Sequence, residues 1–183
     1  SVQLWGGVAC LDFANTLDGR ATAQPEELVH TYGDLVAWSE HSGLLDATTS
    51  ARLRERDADV TLRTALNLRE AIFQVFAAIG RGEPPPALAL DEVRRRYAEA
   101  ATAARLGSDG AGLFDWHFDG DDPDRAWWPI AVDAVHLLTT GPLDRVKICA
   151  AEAGCIGLFL DTSKNRSRRW CTMQGCGIEA KVQ

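Results

Sequence analysis

The sequence predicts a mainly α protein of the α+β class. A helical N-terminal domain with a small β element spans residues 1–143, and a cysteine-bearing module of two knuckles, short strands and a terminal helix spans 144–183. Three observations lead there. Apolar residues recur at helical spacing through most of residues 25–138. One aromatic-rich run, Leu113 to Phe118, has the composition of a strand. Four of the five cysteines lie within residues 149–176.

Taken in order, Gly6-Gly7 reads as a turn, and Leu11, Phe13, Ala14 and Leu17 fit one face of a short helix behind it. Asp12 and Asn15 share another face. They either line a ligand pocket or bond to neighbouring backbone, and the second habit is the commoner one for these residues. Cys10, alone among apolar neighbours, reads as a packing residue. Pro25-Glu26-Glu27 has the form of a helix start, with Leu28, Val29, Tyr32, Leu35, Val36 and Trp38 recurring up to a stop at Gly43. His30 and His41 have no companion at ligand spacing.

From Thr49 to Ile79 the pattern is helical, with a break expected in the polar stretch Arg54 to Asp59. Arg63, Arg69 and Glu70 are expected on its outer face. Gly80-Arg-Gly82-Glu-Pro84-Pro85-Pro86 interrupts it, and Leu88 to Leu106 resumes a helix whose Arg94, Arg95 and Arg96 point in different directions. The strand at Leu113–Phe118 is expected to open a hairpin completed before Trp127. The Asp119–Asp124 run lacks the loop length and terminal Glu of a calcium-binding loop and reads as a turn with an Asp helix cap. Trp127 to Leu138 is apolar nearly all round, the pattern of a helix central to a core or covered by a partner subunit. Gly141-Pro142 ends it directly before the first knuckle, so module and helical domain are expected to pack together.

Cys149 and Cys155 are separated by five residues, Cys171 and Cys176 by four, with fifteen between the pairs. This is the layout of a four-sulfur structural zinc site, with Gly154 and Gly175 supplying freedom for the turns. The competing accounts are ordinary buried thiols or two disulfides, which a chain of 183 residues does not need for stability. Between the pairs runs Lys164-Asn165-Arg166-Ser167-Arg168-Arg169, four basic side chains in six residues. Arg forks and short hydroxyls both donate to phosphate oxygens. Asp161 at its start is placed to pair with one of these arginines.

The stretch Gly157-Leu-Phe-Leu-Asp-Thr-Ser-Lys-Asn-Arg-Ser-Arg-Arg-Trp-Cys-Thr-Met-Gln-Gly-Cys-Gly177 resembles the signature of the CGNR zinc-finger family. Gly6-Gly7-Val-Ala-Cys-Leu-Asp-Phe-Ala-Asn-Thr-Leu17 resembles the opening of the helical domain that accompanies that finger. The resemblance implies a stress-linked bacterial transcription regulator, its zinc held by Cys149, Cys155, Cys171 and Cys176, its finger on DNA and its N-terminal domain sensing or regulating. The namesake motif differs here: Cys176-Gly177 is followed by Ile178-Glu179 where the family has Asn-Arg. An acid at that point repels phosphate.

Charge is divided along the chain. Residues 144–183 hold seven Lys/Arg against four Asp/Glu, for +3; residues 1–143 hold twelve against twenty-two, for −10; the two sum to the net −7. A basic module beside an acidic regulatory domain fits a DNA-binding regulator, and a homodimer would strengthen so modest a charge. A small-molecule effector is a further expected partner. The alternative reading is a protein-interaction or ligand-sensing protein whose finger has lost DNA recognition. No Gly-rich phosphate loop, nucleophile elbow or His-Glu zinc motif supports an enzyme. Neither a signal segment nor an apolar run of about 20 residues is visible, so the expected location is the cytoplasm and not the membrane.

Overall fold

A computed structural model describes residues 3–108, 112–151 and 154–178. The chain orders as α1 (Ala9–Ala14), β1 (Leu17–Asp18), β2 (Glu26–Glu27), α2 (Tyr32–His41), α3 (Ala47–Arg54), α4 (Asp59–Gly80), α5 (Ala87–Ala103), β3 (Arg105–Ser108), β4 (Phe114–His117), α6 (Trp128–Thr140), β5 (Val146–Ile148) and β6 (Leu158–Leu160). Among the described residues three two-stranded antiparallel ribbons accompany the helices: β1 with β2, β3 with β4, and β5 with β6.

Helix α4 is the axis. Leu62, Ala65, Leu68, Ile72, Val75 and Phe76 form its buried stripe, against which α1, α5 and the β5–β6 ribbon pack. The break expected after Arg54 separates α3 from α4. Helix α6 lies between α1 and α5, with Ile130, Ala131, Ala134 and Leu137 buried.

Two local expectations are corrected. The helix expected from Pro25 begins at Tyr32, where Thr31 and Asp34 form a reciprocal capping box. Glu26 and Glu27 instead pair with Asp18 and Leu17, because the Glu27 carboxylate is drawn to Arg69. The helix after the proline run ends at Ala103, and Arg105–Ser108 becomes β3, pairing Leu106 with Trp116 and Ser108 with Phe114. The partner of the aromatic strand therefore precedes it.

Module and helical domain share one core. Val146 and Leu158 are buried with Leu11, Ile72 and Phe76. The N-terminal segment also crosses over: the Leu160 amide donates to the Gly6 carbonyl at 2.7 Å.

Candidate metal centre

The four cysteines converge. Cys149 follows β5, Cys155 follows Gly154 at φ 87°, Cys171 follows the basic loop, and Cys176 opens a helical turn at residues 176–178. Gly175 has no positive φ, so its knuckle closes differently: the Gly175 amide donates to Thr172 Oγ1 at 3.0 Å and the Gly177 amide to the Thr172 carbonyl at 3.0 Å. Glu179 and the rest of the expected terminal helix lie outside the described residues.

Cys155 Sγ lies 3.7 Å from Cys171 Sγ, which lies 3.6 Å from Cys176 Sγ, and the four sulfurs fit within 4.8 Å of one another. A disulfide needs about 2.05 Å; all four thiols are free. Bonds of ~2.3 Å in a tetrahedron put sulfurs roughly 3.8 Å apart, so the spacing fits zinc ligation. The Cys171 amide donates to Cys149 Sγ at 3.4 Å, which favours a thiolate there. Without a cation the four cannot ionise together. Hydrogen bonds from the Cys155 and Cys171 thiols hold Cys149 down to about 2. Hydrogen bonding to Cys149 pushes Cys155 up to about 12 and Cys171 higher still, while burial raises Cys176. A divalent cation at their centre supplies the compensation that would let all four act as ligands.

The cluster has its own small core. Phe159 is buried with Cys149 and Cys171, and Trp5, Ala151 and Trp170 cover it. A Cβ on Gly157 would stand 2.2 Å from the Trp5 ring, so glycine there admits the indole. Trp5 precedes α1 in sequence yet packs with the metal core in space.

The basic loop divides into scaffold and surface. Arg168 is half-buried over the Phe159 ring at 4.4 Å. Its fork donates to the carbonyls of Trp170, Leu160, Trp5 and Cys171. Those bonds turn it inward. Lys164, Asn165, Arg166, Ser167 and Arg169 are exposed. Asp161 does not pair with a loop arginine side chain. It is wholly buried, takes Lys147 Nζ at 2.5 Å, and accepts from the Ser163 amide and hydroxyl and the Arg168 amide. Burial alone would raise its pKa, but Lys147 and Ser163 more than offset this and hold the carboxyl well below the usual range. Arg166 adopts φ 53°, uncommon for a residue with a Cβ, and pairs with Asp144.

Two residues gain roles that spacing did not show. Asn15 reaches the module instead of neighbouring backbone: its Nδ2 donates to the Leu158 carbonyl and its Oδ1 accepts the Leu158 amide, both at 2.8 Å. Arg69 is buried, not solvated, and its Nη1 and Nη2 grip Glu27 at 2.6 and 2.7 Å. Asp12 caps the turn before α1 by accepting the Gly6 amide at 2.7 Å. Cys10 is fully buried, as expected.

Fold and site together define a four-cysteine structural zinc finger seated on a helical domain. Residues 145–183 match the CGNR zinc finger. Residues 7–141 match ABATE, described as "Putative stress-induced transcription regulator", and the chain belongs to that family. The comparison with curated proteins gave no match. Both matched families are regulatory or zinc-finger families. Among the described residues no helix is long and apolar enough to cross a membrane.

Proposed function

We propose that this chain is a transcription regulator that contacts DNA through Lys164, Asn165, Arg166, Ser167 and Arg169. In this reading Cys149, Cys155, Cys171 and Cys176 are the zinc ligands of a module at 144–183, and residues 1–143 sense an effector or dimerise. The observation that carries it is the loop itself. Lys164, Arg166 and Arg169 stand exposed on a short segment whose backbone is pinned from beneath by buried Asp161. The Arg166–Asp144 pair, with side chains 56% and 57% exposed, is a weak surface contact that a phosphate can replace.

Arg168 belongs to the scaffold in this reading, so the loop offers three cations among the described residues. Three phosphates imply a log-log salt slope of about −3, and thus roughly forty-fold weaker binding at 200 mM than at 50 mM salt. The test is a salt series with duplex DNA on the zinc-loaded chain. Neutralising Lys164, Arg166 or Arg169 should reduce the slope by about one each. Binding unchanged by all three substitutions would eliminate the loop as the contact.

A second reading is favoured by Ile178, 53% exposed where the family motif has Asn. It makes the finger an interaction module without DNA recognition. If only the I178N/E179R protein binds duplex DNA, that reading replaces the first.

A further inference from the structure

Between α5, α6, β4 and the turn after α2 lies a half-open cleft of about 810 Å³, within the size range of small-molecule sites. Its walls are apolar and aromatic, with Tyr97, Trp116 and Phe118 among them. Trp116 is 64% exposed on the β3–β4 ribbon and Tyr97 37% exposed on α5. Phe118 is fixed from behind by Trp128, ring centroids 5.2 Å apart. Aromatic surface left open at the mouth of a concave site marks a place where something binds.

The polar groups choose the ligand's charge. Asp133, on α6, lines the cleft half-buried. One carboxylate oxygen accepts the Cys10 amide at 2.7 Å, which fixes its orientation. No cation pairs with it among the described residues. Asp115 also borders the cleft, but in β4 it directly precedes Trp116, so the two side chains leave opposite faces of the ribbon, and its Oδ1 accepts the Trp116 amide. Arg125 is the one Lys or Arg in the lining; its Nη1 donates to the Gly120 carbonyl, while its buried Nε has no partner among the described residues. Of the two histidines there, His117 faces Asp119 and His136 contacts Thr140. Asp133, with its orientation fixed and no cation on it among the described residues, therefore stands beside electron-rich rings. Such rings attract an organic cation over their faces while a fixed carboxylate neutralises it.

We propose that this cleft binds an aromatic organic cation, an amine or protonated nitrogen heterocycle, with its charge on Asp133 and its ring against Trp116 and Tyr97. That the bound molecule is the regulator's effector rests on the function proposed above; occupancy of the cleft does not. The link is short. Asp133 holds the first turn of α1 through Cys10, and Asn15 at the far end of that helix holds Leu158 of the zinc module.

The test is calorimetric titration of the zinc-loaded, DNA-free chain with 2-naphthylmethylammonium and, separately, with 2-naphthylacetate, ligands of similar shape and opposite charge. The ammonium is expected to bind and the carboxylate not. Asp133→Asn keeps an oxygen for the Cys10 amide while removing the charge, and should weaken the ammonium about tenfold or more. Trp116→Ala, at an exposed position, should weaken it with the fold intact, and decides the matter if the Asp133 variant does not fold. Preference for the carboxylate, no binding of either probe, or ammonium binding unaffected by both substitutions overturns the proposal. Because no DNA is present, failure of the DNA contact leaves this result untouched.

Discussion

Asn15 and Leu158, 143 residues apart, are joined as a strand pair would be: the Asn15 side-chain amide donates to the Leu158 carbonyl and accepts its amide hydrogen, each at 2.8 Å. Leu158 is fully buried, and Asn15 is 8% exposed. Removing the side chain would strand two backbone groups away from water, at about 1–3 kcal/mol each. Asn15→Ala is therefore expected to destabilise the zinc-loaded chain by about 2–5 kcal/mol, read as a lower denaturant midpoint at unchanged slope. Amide exchange at β6 should quicken more than exchange in the middle of α4. A midpoint shift under 0.5 kcal/mol would show that the contact contributes nothing net.

Arg69 offers a second test, at the β1–β2 ribbon. Its side chain is 4% exposed and bonds Glu27, Glu70 and Thr16. Replacing it by Met leaves Glu27 without its cation, while Glu70 keeps Arg20, a change of up to about 3–5 kcal/mol when a buried pair is broken from one side. The pH dependence has a definite sign. Burial raises Glu27 and Glu70, but their arginine partners more than offset it, so both lie below the ordinary carboxyl range. A depressed folded pKa gives stability that is present above the unfolded value, about 4.3, and is lost as pH falls through the folded value. Acid titration of stability should be steeper in the parent chain than in Glu27→Gln, with the difference confined below about pH 5.

These two contacts also show where the sequence stops being readable. Helical periodicity located the α3–α4 break and the end of α6 at Gly141 because those signals are local. Cysteine spacing located the sulfur cluster because a tetrahedral centre restricts where knuckles can fall. Pro25-Glu26-Glu27 satisfies every local rule for a helix start, yet a guanidinium 42 residues away decides its fate. Likewise β4 met its partner on the side its aromatic content could not indicate. Long polar side chains are the general difficulty. Arg69 and Arg168 look the same in sequence as Arg63 and Arg169, and only the carbonyls and carboxylates of distant segments distinguish a buried fork from a solvated one.

Arg168 makes that distinction measurable. Its bonds to the Trp5, Leu160, Trp170 and Cys171 carbonyls knit the N-terminal segment to the metal core. Arg168→Gln should lower the stability of the zinc-loaded chain by about 1–3 kcal/mol, since charge-assisted bonds carry that much. It should also shift the chain's tryptophan emission to the red as the Trp5 indole loosens from Gly157, a change that Trp5→Phe should remove. Arg169→Gln should leave both readings within about 0.5 kcal/mol of the parent, as at ordinary surface positions. Equal effects from the two substitutions would mean that the inward turn of Arg168 carries no stability.

The metal accounts for the largest single effect expected. The buried group Cys149, Phe159 and Cys171 is too small to hold its shape as an apolar core, and sulfurs 3.6–3.7 Å apart repel once ionised. A structural zinc supplies on the order of 10 kcal/mol to the folding of such modules. Purified protein should carry one zinc per chain. Cobalt substitution should give the intense thiolate charge-transfer absorption of a four-sulfur site, lowered by about a quarter in Cys155→Ser, which removes one of four donors. Chelation should release the β5–β6 ribbon while α4, α5 and α6, whose buried stripes face one another, retain their helicity. Because Val146 and Leu158 belong to the shared core, the helical domain should then melt at a lower temperature than in the zinc-loaded chain. An unchanged melting temperature on metal removal would show that the module is seated on the helices without supporting them.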